Sequence, residues 1–261
     1  MRIITDLIEF NDSNLWNGPY QVVECKRALS PSGLPGIDYA LNPYGGCEHG
    51  CIYCYAPEVL HTEWKNWRVV RVRSNIPNRL AKELSGLSGT IGIGTVTDPY
   101  QYAEKRFHLT QMCLEVLKAK DMRIHVHTKS DLILRDIDLI SSMRGEVGIT
   151  ITGIDDRYSK ITEPGAPLPG KRLDALKQLT EAGVNTYALI GPVLDHLEGH
   201  EKELVNAIVS TGTNRVYIDA LNMRPMLSER LSRMNISGSN IVKENIRVAC
   251  RLEGLDVRDV F

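Results

Sequence analysis

Long apolar runs are missing from this sequence. None reaches the ~18 residues that a membrane-spanning helix needs. The opening stretch MRIITDLIEFNDSN lacks the apolar core of a secretory signal, and acidic residues interrupt it. An excess of either charge is missing too: 31 Lys and Arg face 32 Asp and Glu, for a net charge of −1. No global positive field therefore draws the chain to nucleic acid or anionic lipid, although a local basic patch is not excluded. Internal repeats, low-complexity segments and obvious linkers are absent as well. These absences lead us to expect a cytoplasmic protein without a membrane association. In that compartment thiols stay reduced and grouped cysteines act as metal ligands.

What is present suits one folded unit. The 261 residues are 43% hydrophobic and 24% charged, ordinary for a globular chain, and an α/β barrel commonly runs to ~250 residues. We expect a single domain over residues 1–261. An irregular N-terminal extension rich in Asn, Pro and Gly covers 1–36, a core covers 37–222, and a helical C-terminal segment covers 223–261. Six short apolar runs predict core strands over Ile37–Leu41, Gly89–Thr95, Arg123–His127, Val147–Thr152, Thr186–Ile190 and Arg215–Ile218, with one more β-rich run over Trp67–Val72. Helical periodicity lies between them: Leu109, Met112, Val116 and Leu117 share a face, as do Leu173, Leu176 and Leu179, and Gly183 is placed to end the latter helix. Strands alternating with helices favour parallel βαβ units with right-handed crossovers, either as a partial barrel or as a doubly wound sheet. Both place ligands beyond the carboxyl ends of the strands. The polar signals cluster there, at the cysteine loop, Thr97-Asp98-Pro99-Tyr100-Gln101, Thr128-Lys129-Ser130-Asp131, Thr152-Gly153-Ile154-Asp155, Gly191-Pro192, and Asp219 with Asn222.

Half of the six cysteines fall in one loop, GGCEHGCIYCYA, as Cys47, Cys51 and Cys54. Their spacing is C-x3-C-x2-C, and Gly45, Gly46 and Gly50 let a short loop bend so that three sulfurs converge. A structural zinc site normally takes four protein ligands in two separated pairs, and no second CxxC pair exists; Cys25, Cys113 and Cys250 are isolated. His49 lies between two of the ligands, where reaching the same metal is awkward. A cubane iron–sulfur cluster held by three cysteines keeps one iron open to an outside ligand, as a catalytic metal site does. The competing reading is a zinc or electron-transfer loop with a distant fourth ligand. Tyr53 and Tyr55 look like aromatic cover for the metal site, Tyr55 being equally readable as ordinary packing.

This spacing, with an aromatic residue before the last cysteine, resembles the radical S-adenosylmethionine superfamily. Four segments in order, NPYGGCEHGCIYCYA, GTVTDPYQYAEK, TKSDLILRDIDLI and ITEPGAPLPGKRLDALKQLTEAGV, resemble its spore-photoproduct-lyase-like branch from about Tyr39 to Pro192. The resemblance implies an α/β fold, a partial (β/α)6 barrel of parallel strands. It also implies a [4Fe–4S] cluster held by Cys47, Cys51 and Cys54, with S-adenosylmethionine chelating the open iron. An electron from an external donor, such as flavodoxin or ferredoxin, then cleaves the cofactor, and the 5′-deoxyadenosyl radical takes hydrogen from a substrate. The photoproduct-reversing members carry a cysteine hydrogen donor beside the Ser-Asp of the second strand. Here the run Ile93–Asp98 has none, so we expect a different reaction, on a nucleotide, RNA or peptide. The alternative is a non-enzymatic iron–sulfur or zinc protein in electron transfer or metal sensing.

Within that resemblance, Tyr53, Thr97, Asp98, Lys129, Thr152 and Pro192 are expected to contact the cofactors. Thr97 and Asp98 suit the S-adenosylmethionine amino group, Lys129 its carboxylate, and Thr152, preferred over Thr150, its ribose. Asp98 also reads as a turn cap. Tyr100, Glu163 and Arg172 are expected on a candidate substrate loop, with a structural Glu163–Arg172 ion pair as an equal alternative. Arg135 and Asp136 read as a structural salt bridge, Gln101 and Glu104 as exposed turn residues, and His125 and His127 as groups inside the barrel. Arg68, Arg71 and Arg73 with Trp64 and Trp67 give weak support for a nucleic-acid surface. An edge strand guarded by charge explains them better. No auxiliary cluster is expected.

Overall fold

The six core runs are rich in Val, Ile and Ala, and strands buried on both faces need cover on both sides. The structure, a computed structural model, describes residues 20–260. Its strands in chain order are β1 (Tyr20–Val23), β2 (Leu29–Pro31), β3 (Tyr39–Leu41), β4 (Tyr44–Gly45), β5 (Val70–Arg73), β6 (Thr90–Ile93), β7 (Arg123–Thr128), β8 (Gly145–Thr150), β9 (Thr186–Val193), β10 (Arg215–Ala220) and β11 (Asp256–Asp259). The core strands β3, β6, β7, β8, β9 and β10 are successive parallel neighbours. These are the six expected strands, with ends shifted by no more than three residues. β2 joins β3 antiparallel at one edge and β11 joins β10 parallel at the other, so the eight-stranded sheet curves without closing, as a partial barrel.

Two terminal stretches differ from expectation. The extension read as irregular contributes β1 and β2, and residues 1–19 lie outside the described residues. The C-terminal segment adds a strand to the sheet as well as the helices Pro225–Ser232 and Asn240–Leu252. A third difference concerns the arginine-rich run. Residues Trp64–Trp67 are helical, and β5 is the central strand of a small sheet, parallel to β1 and antiparallel to β4. It is therefore no guarded edge: Val70 and Val72 are buried, while Arg71 and Arg73 share the other face.

The expected helices form with their apolar faces inward. Leu109–Ala119 buries Leu109, Cys113, Leu114, Val116 and Leu117. Pro169–Glu181, started by a proline whose fixed φ suits a first turn, buries Leu176 and Leu179 and is followed by Gly183 at φ 77°. Each fully buried Leu or Ile side chain contributes roughly 1.5–3 kcal/mol. Register then aligns the strand ends. Leu41 pairs with Ile93, Ile93 with Val126, Thr128 with Ile149 and Thr150 with Leu189. The carboxyl ends of all six core strands therefore share one rim, and the loops carrying the polar motifs rise from it.

Candidate cofactor and active site

The cysteine loop follows β3 and β4 and is fastened at almost every backbone position. Gly46, at φ 86°, sits where a Cβ would lie 2.6 Å from the Trp67 carbonyl, so only glycine allows this approach. Cys47 N donates to that carbonyl at 3.0 Å. The buried Gln101 amide spans the loop, donating to Gly46 O at 3.1 Å and accepting from Glu48 N at 2.9 Å. Ile52 N donates to Thr162 O at 2.8 Å, and Gly165 N to His49 O at 2.9 Å. A Cβ on Gly165 would lie 2.1 Å from Glu48 O, so the Pro/Gly loop packs directly beneath the cysteines. From the C-terminal segment, Arg230 donates to Ile52 O at 2.5 Å and Cys54 O at 2.6 Å while its guanidinium stacks 3.7 Å from the Trp64 ring centroid.

The three thiols face a cavity of about 710 Å³ at the strand-end rim. Cys47 and Cys51 are buried and Cys54 is half-buried. Burial pushes all three thiols up, Cys51 to about 12, and Asp98 adds to the rise at Cys47. Of the other expected site residues, Tyr53, Thr97, Asp98, Lys129 and Pro192 also line the cavity. Thr97 Oγ1 donates to Tyr44 O at 3.2 Å. Asp98 is engaged from four sides: it accepts from Tyr100 N at 2.9 Å, Thr128 Oγ1 at 2.6 Å and Lys129 N at 2.8 Å, and lies 3.3 Å from His49 Nδ1. Burial alone would raise its carboxyl; His49 and these donors outweigh that and lower it. Lys129 Nζ sits 5.7 Å from the Tyr53 ring centroid and forms no ion pair with a described residue.

Thr152, Tyr100, Glu163 and Arg172 do not line the cavity. They are buried, and Glu163 and Arg172 form the ion pair that was the alternative to a substrate loop. The Tyr53 hydroxyl donates to Glu163, Thr152 Oγ1 donates to the same carboxylate at 2.9 Å, and Arg172 Nη2 meets it at 2.6 Å. Burial would raise the Glu163 carboxyl, but Arg172 and Lys129 bring it down to about 2. Tyr100 donates to Asp136 at 3.0 Å. Gln101 and Glu104, expected in an exposed turn, are fully buried. Glu104 binds Arg135 at 2.6 Å, and Arg135 also pairs with Asp136 at 2.7 Å, so this salt bridge is structural.

The two barrel histidines meet inside. Tyr187 OH lies 2.7 Å from His125 Nε2 and 3.2 Å from His127 Nδ1, and His127 Nε2 lies 2.7 Å from Thr150 Oγ1. Burial pushes His127 down to about 3, so it is neutral at ordinary pH, and its ring reaches the cavity floor. Sequence reasoning missed Asn42 and Arg230. Asn42 lines the cavity and ties β3 to the loop after β6, donating to Thr95 Oγ1 at 2.9 Å and accepting from Val96 N at 3.3 Å. Its signal was the Asn-Pro just before the cysteine loop. Arg230 reaches a carbonyl 176 residues away, a contact no local pattern announces.

The donor set fits an iron–sulfur cluster. Buried thiols held protonated by their surroundings become thiolates only with cations against them. Among the described residues, no three His, Cys, Asp or Glu side chains gather round one point as a single ion requires. Three thiols lining one cavity suit a larger group in which each takes a different iron.

The comparisons agree. A model of the radical SAM superfamily matches residues 41–208. The chain belongs to this superfamily, whose members use a [4Fe–4S] cluster and S-adenosylmethionine and take an electron from an external reductant. The uncharacterized protein MJ0683 of Methanocaldococcus jannaschii is 35% identical over 209 residues, 77% of each chain. The uncharacterized protein Rv2578c of Mycobacterium tuberculosis is 30% identical over 225 residues, 78% of this chain and 66% of its own. A spore photoproduct lyase complexed with dinucleoside spore photoproduct superposes with a TM-score of 0.69 at 16% identity, covering 93% of this chain and 82% of that one. A mutant of that lyase with bound AdoMet gives 0.71 at 14%, with the same coverage. At these identities the shared property is the fold. Among the described residues no helix is long and apolar enough to cross a membrane.

Proposed function

We propose that this protein is a radical enzyme acting on a polar substrate, a nucleotide, RNA or peptide, and that it is not a photoproduct lyase. The observation that carries the reading is the opening of three thiols, two of them buried and one half-buried, onto one cavity at the strand-end rim. When bound, the cluster and S-adenosylmethionine supply a 5′-deoxyadenosyl radical that removes hydrogen from substrate. The protein's own groups position and shield. Cys47, Cys51 and Cys54 hold the cluster, with Tyr53 covering it. Lys129, which lines the cavity and forms no ion pair with a described residue, binds the S-adenosylmethionine carboxylate. Thr97 and Pro192 wall the same space. Asp98 acts by fixing Lys129 and His49, because its own oxygens are already occupied. Thr152 supports the site through Glu163.

The cavity lining also carries Ser30, Ser32, Arg73, Asp219 and Asn222, polar groups that suit a polar substrate. Cys25, Cys113 and Cys250 do not line the cavity, so among the described residues no cysteine is placed there to return hydrogen to a substrate radical. This supports a reaction other than photoproduct repair. A small one-electron carrier such as flavodoxin or ferredoxin serves as reductant. The test is anaerobic reconstitution: the protein should bind ~4 iron and 4 sulfide and, once reduced, release 5′-deoxyadenosine from S-adenosylmethionine. Loaded, reduced protein that leaves S-adenosylmethionine intact overturns the enzyme reading. Robust turnover of a dinucleoside spore photoproduct overturns the substrate reading.

A further inference from the structure

Trp67 ends the short helix before β5 and is 1% exposed. Its ring packs with Cys47 and Ala56, against Cys54, Trp64 and Val96. Its carbonyl holds Cys47 N, so ring and first cysteine belong to one rigid unit. The indole Nε1–H has no acceptor. An indole nitrogen can only donate, and a buried one usually finds a partner. Other buried polar atoms without a hydrogen bond among the described residues belong to Glu58, Tyr158, His196 and Arg172, the last held by its ion pair with Glu163, and none of these residues lines the cavity; Trp67 does. The orphan donor therefore sits at the cysteine end of the cavity, where an acceptor is missing from the chain itself.

We propose that Trp67 Nε1–H donates to a sulfur of the bound cluster, the Cys47 thiolate or a sulfide beside it, and raises the cluster's reduction potential. Thiolates and sulfides are acceptors rich in negative charge. A donor aimed at one stabilises the reduced state, which carries one more electron, over the oxidised state. The proposal rests on the reading that Cys47, Cys51 and Cys54 hold a [4Fe–4S] cluster.

The experiment compares wild-type, Trp67→Phe and Trp64→Phe proteins, reconstituted and kept free of S-adenosylmethionine. Iron and sulfide content and the electron paramagnetic resonance signal of the reduced cluster are recorded first; wild-type protein without a cluster defeats the underlying reading and not this one. The midpoint potential is then measured by redox titration. Trp67→Phe should make reduction about tenfold less favourable, a shift of ~59 mV to lower potential for a one-electron couple, while Trp64→Phe leaves it unchanged. A second measurement needs no substitution at Trp67. Wild-type and Trp64→Phe proteins labelled with 15N in the indole should both show a nitrogen coupling to the reduced cluster in pulsed spectra. An unshifted potential in loaded Trp67→Phe protein, an equal shift in Trp64→Phe, or absence of the nitrogen coupling in wild type overturns the proposal.

Discussion

Two sets of residues lining the cavity are built on opposite plans. At the cysteine end, Gln101, Trp67, Thr162 and Arg230 hold the backbone at Gly46, Cys47, Glu48, Ile52 and Cys54, and the buried Tyr53–Glu163–Arg172 group braces it from below. Elsewhere in the lining, Asp219 forms no ion pair with a described residue, and Ser30 and Asn222 are exposed. A group that must meet three thiols at once needs them fixed before it arrives, since a catalytic constellation tolerates little looseness. A wall that selects a substrate needs side chains still free to bond. The backbone of the cysteine loop is therefore held by the fold before anything binds, while Asp219, Ser30 and Asn222 keep side chains open to a ligand.

The largest effect should come from the thiols. Cys47→Ser, Cys51→Ser and Cys54→Ser should each abolish iron and sulfide binding on reconstitution, whereas Cys113→Ser, remote from the cavity, should not; iron analysis and the cluster's visible absorption read the difference. Next comes the brace. Arg172→Leu leaves the Glu163 carboxylate buried without its cation, and breaking such a pair costs about 3–5 kcal/mol. Chemical denaturation should register this loss. The same pair has a pH signature. Glu163 titrates at about 2 in the fold against an ordinary 4.5. Its contribution is therefore complete above pH 4.5 and lost as pH falls through about 2. Acid titration of stability should show this loss in wild type and not in a Glu163→Gln protein. Arg230→Ala follows in size, leaving two loop carbonyls without their donor at about 1–3 kcal/mol. Its cluster should be stripped faster by a chelator than wild type's.

The same contrast explains how far the sequence could be read. The core strands were legible because each is a short apolar run, and the three cysteines because their chemistry depends on local spacing. Lys129, Thr97 and Asp98 were legible as positions, since each follows a strand end. What stayed hidden was long-range. Glu163 and Arg172 looked alike as lid or brace until the fold set them under the cysteine loop. Gln101 looked exposed in a turn because nothing nearby in sequence shows that Gly46 and Glu48 come to it. The arginines of β5 resembled a guarded edge until β1 and β4 flanked them. Arg230 offered no local pattern at all. Contacts made across the chain are fixed by topology, and a single sequence states topology only through its strand order.

The smallest effect, and the sharpest check on the two-plan contrast, is at Asp219. Burial raises its carboxyl above the ordinary 3.8, so the ionised form weakens the fold and has no ion-pair partner among the described residues. The sign follows. A carboxyl raised in the fold favours folding below its titration range, and that advantage is lost as pH rises through its folded pKa. Asp219→Asn should therefore be as stable as wild type or slightly more stable at pH 7, by no more than about 0.5 kcal/mol, since the site is partly exposed to solvent. The gap should close as the pH is lowered. Iron content should be unchanged. Denaturation curves at pH 7 and pH 4 with iron analysis make the test. An Asn variant that loses the cluster or about 2 kcal/mol or more of stability would show that Asp219 belongs to the rigid scaffold after all.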